Sequence, residues 1–252
     1  MLPQKLGHIG AKVFRSIEHL NALDSQITTF LESKPYEIVT EFNANERTYT
    51  YRAKARADIP VLIRILTGEV LTQLRSCLDH LAWQLALLTI KTPPDGTEFP
   101  IFKDKVSFTA RVRKKKIGAL PADAQNIIDR LQPYTRAAPE DDILWILHRL
   151  ANDDKHRLPH LVAAAPRGVI TGDRRGRDMA VEVRSGPFDK DTIIGRVIFL
   201  NPSETDMEVQ TEIPFDLAFP VDSAAKGRPI RPELVRFGKK VEEVVREFTE
   251  FF

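Results

Sequence analysis

Apolar residues at Val13, Ile17, Leu20, Ile27 and Leu31 recur three, four and seven apart, which predicts an amphipathic helix over residues 6–33, ending before Pro35. The period then shortens to two. Residues 36–42 and 47–52 are β-branched and aromatic runs separated by the turn-prone Asn43-Ala44-Asn45, and they predict a β-hairpin near 36–52. Asp58 and Pro60 suit the start of a second helix, which runs without a clear breaker to about residue 90. Along it Leu71, Leu74, Leu78, Leu81, Leu85 and Leu88 alternate three and four apart, a seam built to pack against other helices.

Pro93-Pro94-Asp95-Gly96 ends that helix, and the Phe-Pro-Ile-Phe of residues 99–102 predicts an extended piece, because the residue before a proline is pushed from helical geometry. Short helices are expected over 105–113 and 121–131. The stretch 143–158 opens as an apolar helix, has Glu140, Asp141 and Asp142 before its N-terminus, and is limited by Pro159. Beyond residue 161 the pattern changes again. Residues 181–183, 193–200, 207–213 and 215–219 predict strands, divided by Gly172-Asp173, Gly186-Pro187 and Asn201-Pro202. A last amphipathic helix covers about 232–252.

These elements predict an α+β fold in one domain spanning 1–252. Residues 1–160 are mainly helical apart from the hairpin, 161–221 are mainly β, and 231–252 form the C-terminal helix. A helical bundle packed with a C-terminal antiparallel β-sheet is the expected architecture.

With 252 residues, 42% of them hydrophobic, the chain can bury a full core. Its net charge is only +2, from 37 basic and 35 acidic side chains, so no global field draws it to nucleic acid or an anionic membrane. Cys77 is the single cysteine, which excludes an internal disulfide framework and suits a reducing compartment. The N-terminal residues lack the pattern of a secretory signal, and the most apolar stretch, 81–90, contains Gln84 and falls short of the roughly 18 residues that span a bilayer. The expectation is a cytoplasmic protein with no membrane contact. Glycine-rich nucleotide motifs, a P-loop and a serine nucleophile elbow are lacking.

Candidate chemistry concentrates in two helices. At about 100° per residue, Arg149 and His156 would project about 20° apart on a continuous helix, with Asn152 and Trp145 on the same flank. Arg75 and Asp79 share a face of the long helix, and His80 points away from the leucine seam. Arg149, Asn152 and His156 thus form a polar strip beside the apolar stripe, a candidate site. The competing reading makes Arg149, Asn152, His156, Arg75, Asp79 and His80 a structural network in a non-catalytic binding or interaction module, with an unknown protein partner. A metal-dependent hydrolase drawing on Asp79, His80, His148, Asp153, His156 and His160 is a further alternative, without a His-Glu-x-x-His signature. The basic runs 111–116 and 174–177 are read as solvated surface. Trp83 and Trp145 are read as packing residues and Cys77 as a buried thiol.

The segments Leu-Arg-Ser-Cys-Leu-Asp-His-Leu-Ala-Trp-Gln-Leu at 74–85, Phe-Pro-Ile-Phe at 99–102, Leu-Gln-Pro-Tyr at 131–134 and Asn-Asp-Asp-Lys-His-Arg at 152–157 resemble a group of uncharacterised bacterial proteins across about residues 60–160. More remotely, arginine followed after four to six residues by histidine on a helical bundle resembles HEPN domains. Arg75 to His80 and Arg149 to His156 fit that interval. The resemblance implies a metal-independent ribonuclease that acts on RNA without a cofactor, its site assembled across a homodimer, with His156 moving a proton at a ribose hydroxyl as acid/base, Arg149 clamping the phosphate and Asn152 orienting the ligand or the imidazole.

Overall fold

The computed structural model describes residues 7–165, 169–171, 179–183, 186–188, 191–200, 210–212 and 215–252. Helices are not interleaved with parallel strands, and the described strand pairings are antiparallel, so the class is α+β. The chain divides into two compact units. The first takes in Met1–Leu23, Ile65–Pro159 and Arg231–Phe252, and the second Asp24–Arg64 and His160–Ile230.

The first unit is helical. It holds most of α1 (Gly7–Glu32) and of α2 (Val61–Ala86), then α3 (Ala110–Ile117), α4 (Ala122–Leu131), α5 (Ile143–Asp154) and nearly all of α6 (Ile230–Glu247). The leucine seam of α2 is its spine, with Leu71, Leu74, Leu78, Leu81 and Leu85 all buried. Leu144, Leu147 and Leu150 of α5 and Phe237, Val241 and Val244 of α6 are buried as well. Each such side chain contributes about 1.5–3 kcal/mol by leaving water, so these stripes fix which helix faces turn inward. Close approach needs a small residue at Gly68, where an added Cβ would lie 2.2 Å from Oδ1 of Asp154, the last residue of α5.

Four helix boundaries differ from expectation, the end of α5 at Asp154 among them. α2 stops at Ala86 rather than near residue 90, where the amides of Leu88 and Thr89 reach back only three residues, to the Leu85 and Ala86 carbonyls, and the Thr89 hydroxyl also donates to Ala86. The helix expected over 105–113 lies instead at Ala110–Ile117. Asp104 accepts from the Ser107 amide at 2.7 Å and holds a turn there, and Thr109 supplies the N-cap by accepting from the Val112 amide. α6 ends at Glu247 and is followed by a 3-10 turn.

The second unit carries the strands. β1 (Tyr36–Asn43) and β2 (Thr48–Ala55) form the expected hairpin, turned by the Asn43 side chain, which accepts from the amides of Asn45 and Glu46. β2 pairs with β7 (Asp191–Phe199), and β7 with β5 (Met179–Val183), giving a four-stranded sheet ordered β1-β2-β7-β5. The register skips Ile194, a bulge between the pairs Tyr51–Gly195 and Arg52–Ile193. A three-stranded sheet sets β3 (Val162–Ala165) between β6 (Gly186–Phe188) and β9 (Asp216–Ala218), and β4 (Val169–Thr171) pairs with β8 (Gln210–Glu212). Gly186-Pro187, expected as a turn, is therefore strand. The expected turns at Gly172-Asp173 and Asn201-Pro202, and the basic run 174–177, lie outside the described residues. Among the described residues no helix is long and apolar enough to cross a membrane.

Candidate functional site

Residues 99–102 form an extended strap in the helical unit, outside any sheet, so their backbone groups need partners from side chains. Arg75 and Asp79 on α2 supply them at one end. The Phe99 amide donates to Asp79 Oδ1 at 3.1 Å, and Arg75 Nη2 donates to the Phe99 carbonyl at 2.8 Å. Arg75 Nη1 closes the loop by donating to Asp79 Oδ1 at 2.6 Å. At the other end stands Gln132, fully buried in the cap position of α4. Its Nε2 donates to the Pro100 carbonyl at 2.7 Å and its Oε1 accepts from the Phe102 amide at 3.1 Å. The strap is thus stitched at both ends by amide and guanidinium side chains.

α5 brings His148 to the same place because Asp142 caps the helix, its Oδ1 accepting from the amides of Leu144 and Trp145. Arg75 Nε donates to His148 Nδ1 at 3.4 Å, and the Asn152 amide lies 2.9 Å from His148 Nε2. A neutral imidazole has one acceptor nitrogen, and the guanidinium can only donate. Nδ1 is therefore the acceptor and Nε2 carries the proton, which calls for the Asn152 oxygen on that side. The alternative amide orientation keeps an exposed contact from Lys155 to Asn152, at 3.2 Å, which is worth little by comparison.

Burial, followed by the charges of Arg75, Lys155, Arg149 and Lys116, pushes His148 down from 6.5 to about 4. Since the folded value lies below the unfolded one, the unfolded chain takes up this proton first. Stability from neutral His148 is fully present above pH 6.5 and is lost as the pH falls from there toward 4. The expected outcome is a melting temperature that drops between pH 6.5 and 4.5 more steeply in the wild type than in His148→Gln. Thermal melts of both proteins at these two pH values check it.

Beside this cluster is a cavity of about 260 Å³, lined by Arg75, Phe102, Lys103, Lys116, Trp145 and His148 among others. The Lys103 ammonium sits 5.7 Å from the centre of the Trp145 ring, and Phe102 stacks on Phe108 with centroids 5.0 Å apart. Lys116 forms an ion pair with Glu98. Burial, followed by the nearby Arg75 charge, lowers the Lys116 pKa, against which Asp79 acts, and Glu98 and Asp104 also line the cavity.

The sequence-predicted residues separate into two groups. Arg75, Asp79 and Asn152 meet around His148. Arg149 and His156 do not join them. α5 ends at Asp154, two residues short of His156, so Arg149 and His156 do not share a helix face and the 20° relation fails. Asn152, Asp153 and Asp154 are poor helix formers and place acid at the negative end of the dipole, and the Asp153 carbonyl is taken by the amides of His156 and Arg157. His156 is exposed. Arg149 is also exposed, 3.9 Å from Asp153 and over the Trp145 ring at 6.0 Å. His80 is exposed on α2.

Sequence reasoning missed Gln132 and Lys116 and gave His148 no role beyond a metal candidate, although His148 and Asn152 stand four apart on one helix face. In the basic run 111–116, Arg113 binds Asp129 and Gln125, and Lys116 binds Glu98. Among the described residues no three His, Cys, Asp or Glu side chains come together as metal ligands. Cys77 is fully buried, and burial pushes its thiol up to about 12. No protein-family model, no curated protein and no solved structure matches the chain.

Proposed function

We propose that this chain is a non-catalytic binding module whose cavity beside α5 takes a small anion with an aromatic body. The supporting observation is the state of Arg75. Its three side-chain nitrogens donate to His148, Asp79 and the Phe99 carbonyl, and the residue is only 7% exposed. A guanidinium so engaged braces the strap instead of clamping a substrate phosphate. Positive charge faces the cavity from Lys103 and Lys116 besides Arg75, against the carboxylates of Glu98 and Asp104, and the flat rings of Trp145 and Phe102 stand beside the two ammonium groups. Aromatic walls with ammonium groups at their edge suit a ring that carries a negative substituent. The ligand competes with Glu98 for Lys116, which makes binding reversible and weak.

Phenyl phosphate is a suitable probe. In a Trp83→Phe background, which leaves Trp145 as the sole tryptophan, its titration is expected to change the fluorescence saturably, whereas uncharged phenol has no such effect. Lys116→Gln is expected to weaken binding at least about tenfold, the value of one charge-assisted hydrogen bond. An absent response to phenyl phosphate, or equal affinity in Lys116→Gln, overturns the proposal.

A further inference from the structure

The β-rich unit has its own cavity, of about 120 Å³, independent of the one beside α5. Leu161 and Phe188 are among its apolar walls, and Tyr36, Asp58, Arg64 and His160 are its polar members. Four buried side-chain polar atoms among the described residues have no hydrogen-bond partner, and two of them, Tyr36 Oη and Arg64 Nε, belong to residues of this cavity. Buried polar atoms are nearly always satisfied, and those left over call for an explanation. Tyr36 is only 8% exposed, edge-on to Phe30 and Phe188. Burial pushes its hydroxyl up to about 12, so it keeps its proton and can donate.

Both orphan groups are donors, one of them on a guanidinium, so the matching ligand brings acceptor oxygens and negative charge. The planar guanidinium fork fits a carboxylate. Arg64 is set against Asp58 in this lining, whereas three cations face two carboxylates beside α5, so the charge balance here favours a monoanion over a dianion such as phosphate. The remaining walls are hydrocarbon, which favours an apolar tail. A cavity of about 150 Å³ takes benzene, so this slightly smaller one accommodates about six heavy atoms. We propose that this cavity binds a short-chain aliphatic monocarboxylate, with Tyr36 and Arg64 donating to the carboxylate and the chain lying against Leu161 and Phe188.

Butyrate is the probe, titrated calorimetrically into the full chain, with butanol, butylamine and inorganic phosphate as comparisons. Saturable binding of butyrate alone is expected, accompanied by a rise in melting temperature. Tyr36→Phe and Arg64→Gln are each expected to weaken it at least tenfold. Tyr36→Phe without ligand is expected to melt no lower than the wild type, since it removes an unsatisfied hydroxyl and keeps the ring; this shows that lost binding is not lost folding. The proposal is overturned if butyrate does not bind saturably, if butanol binds as well as butyrate, or if both variants bind butyrate like the wild type. Phenyl phosphate binding at Lys116 stands or falls separately, because no residue is shared between the two cavities.

Discussion

Arg75→Ala is expected to lower the unfolding free energy by about 3 kcal/mol, the low end for removing one partner of a buried ion pair. The low end applies because Asp79 keeps 36% side-chain exposure, and water can solvate its carboxylate once the guanidinium is gone. The Phe99 carbonyl loses its donor as well, in a part of the strap where Phe99 and Ile101 are buried. Arg75→Lys keeps the charge but cannot reach three partners in one plane, so it is expected to fall between alanine and the wild type. Urea unfolding followed by circular dichroism measures both. A loss below about 1 kcal/mol for the alanine variant, the size of an ordinary solvent-exposed pair, would mean that the brace does not hold the strap. The same variant removes the largest charge acting on His148, so its pKa is expected to rise from about 4 toward 6.5.

Gln132→Ala is expected to cost about 2–3 kcal/mol. Gln132 is 0% exposed and serves the Pro100 carbonyl and the Phe102 amide together, so its loss orphans one acceptor and one donor where water does not replace it. Gln132→Glu is no remedy, since it removes the donor to Pro100 and buries a carboxyl group. Thermal melts give the size of the effect, and faster hydrogen exchange at the Phe102 amide gives its place. Arg75 and Gln132 hold two ends of one four-residue strap. Their combined substitution is therefore expected to cost less than the sum, because either loss already frees the segment.

How much of this was legible depended on whether the signal was local. The three-and-four spacing of the α2 leucines and the alternation around Asn43 reflect which faces are buried, so α2, the first hairpin and the α+β class followed from the pattern. β3 is Val-Ala-Ala-Ala and β6 begins Gly-Pro, and neither has the bulky alternation that identifies a strand; pairing with other strands, not local preference, defines them. In the site, Arg75 and Asp79 were visible as a pair four apart. Their true partner, the Phe99 backbone, is 20 residues from Asp79, and Gln132 is 30 from Phe102, separations that no helical period encodes. The alignment of His156 with Arg149 rested on the length of one helix. The helix was extended toward Pro159, whereas Asn152-Asp153-Asp154 had already ended it.

With the Arg75–Asp79–His148 cluster as a brace, the proposed function needs no proton transfer by Arg149 or His156. The most direct test is cleavage of single-stranded RNA by the purified chain in the presence of a chelator, with Arg149→Ala and His156→Ala alongside. Intact RNA with all three proteins, whose melting temperatures agree because both side chains are exposed, is the predicted result. Cleavage by the wild type that falls about 100-fold or more in each variant, the weight of a general acid–base group, would contradict it.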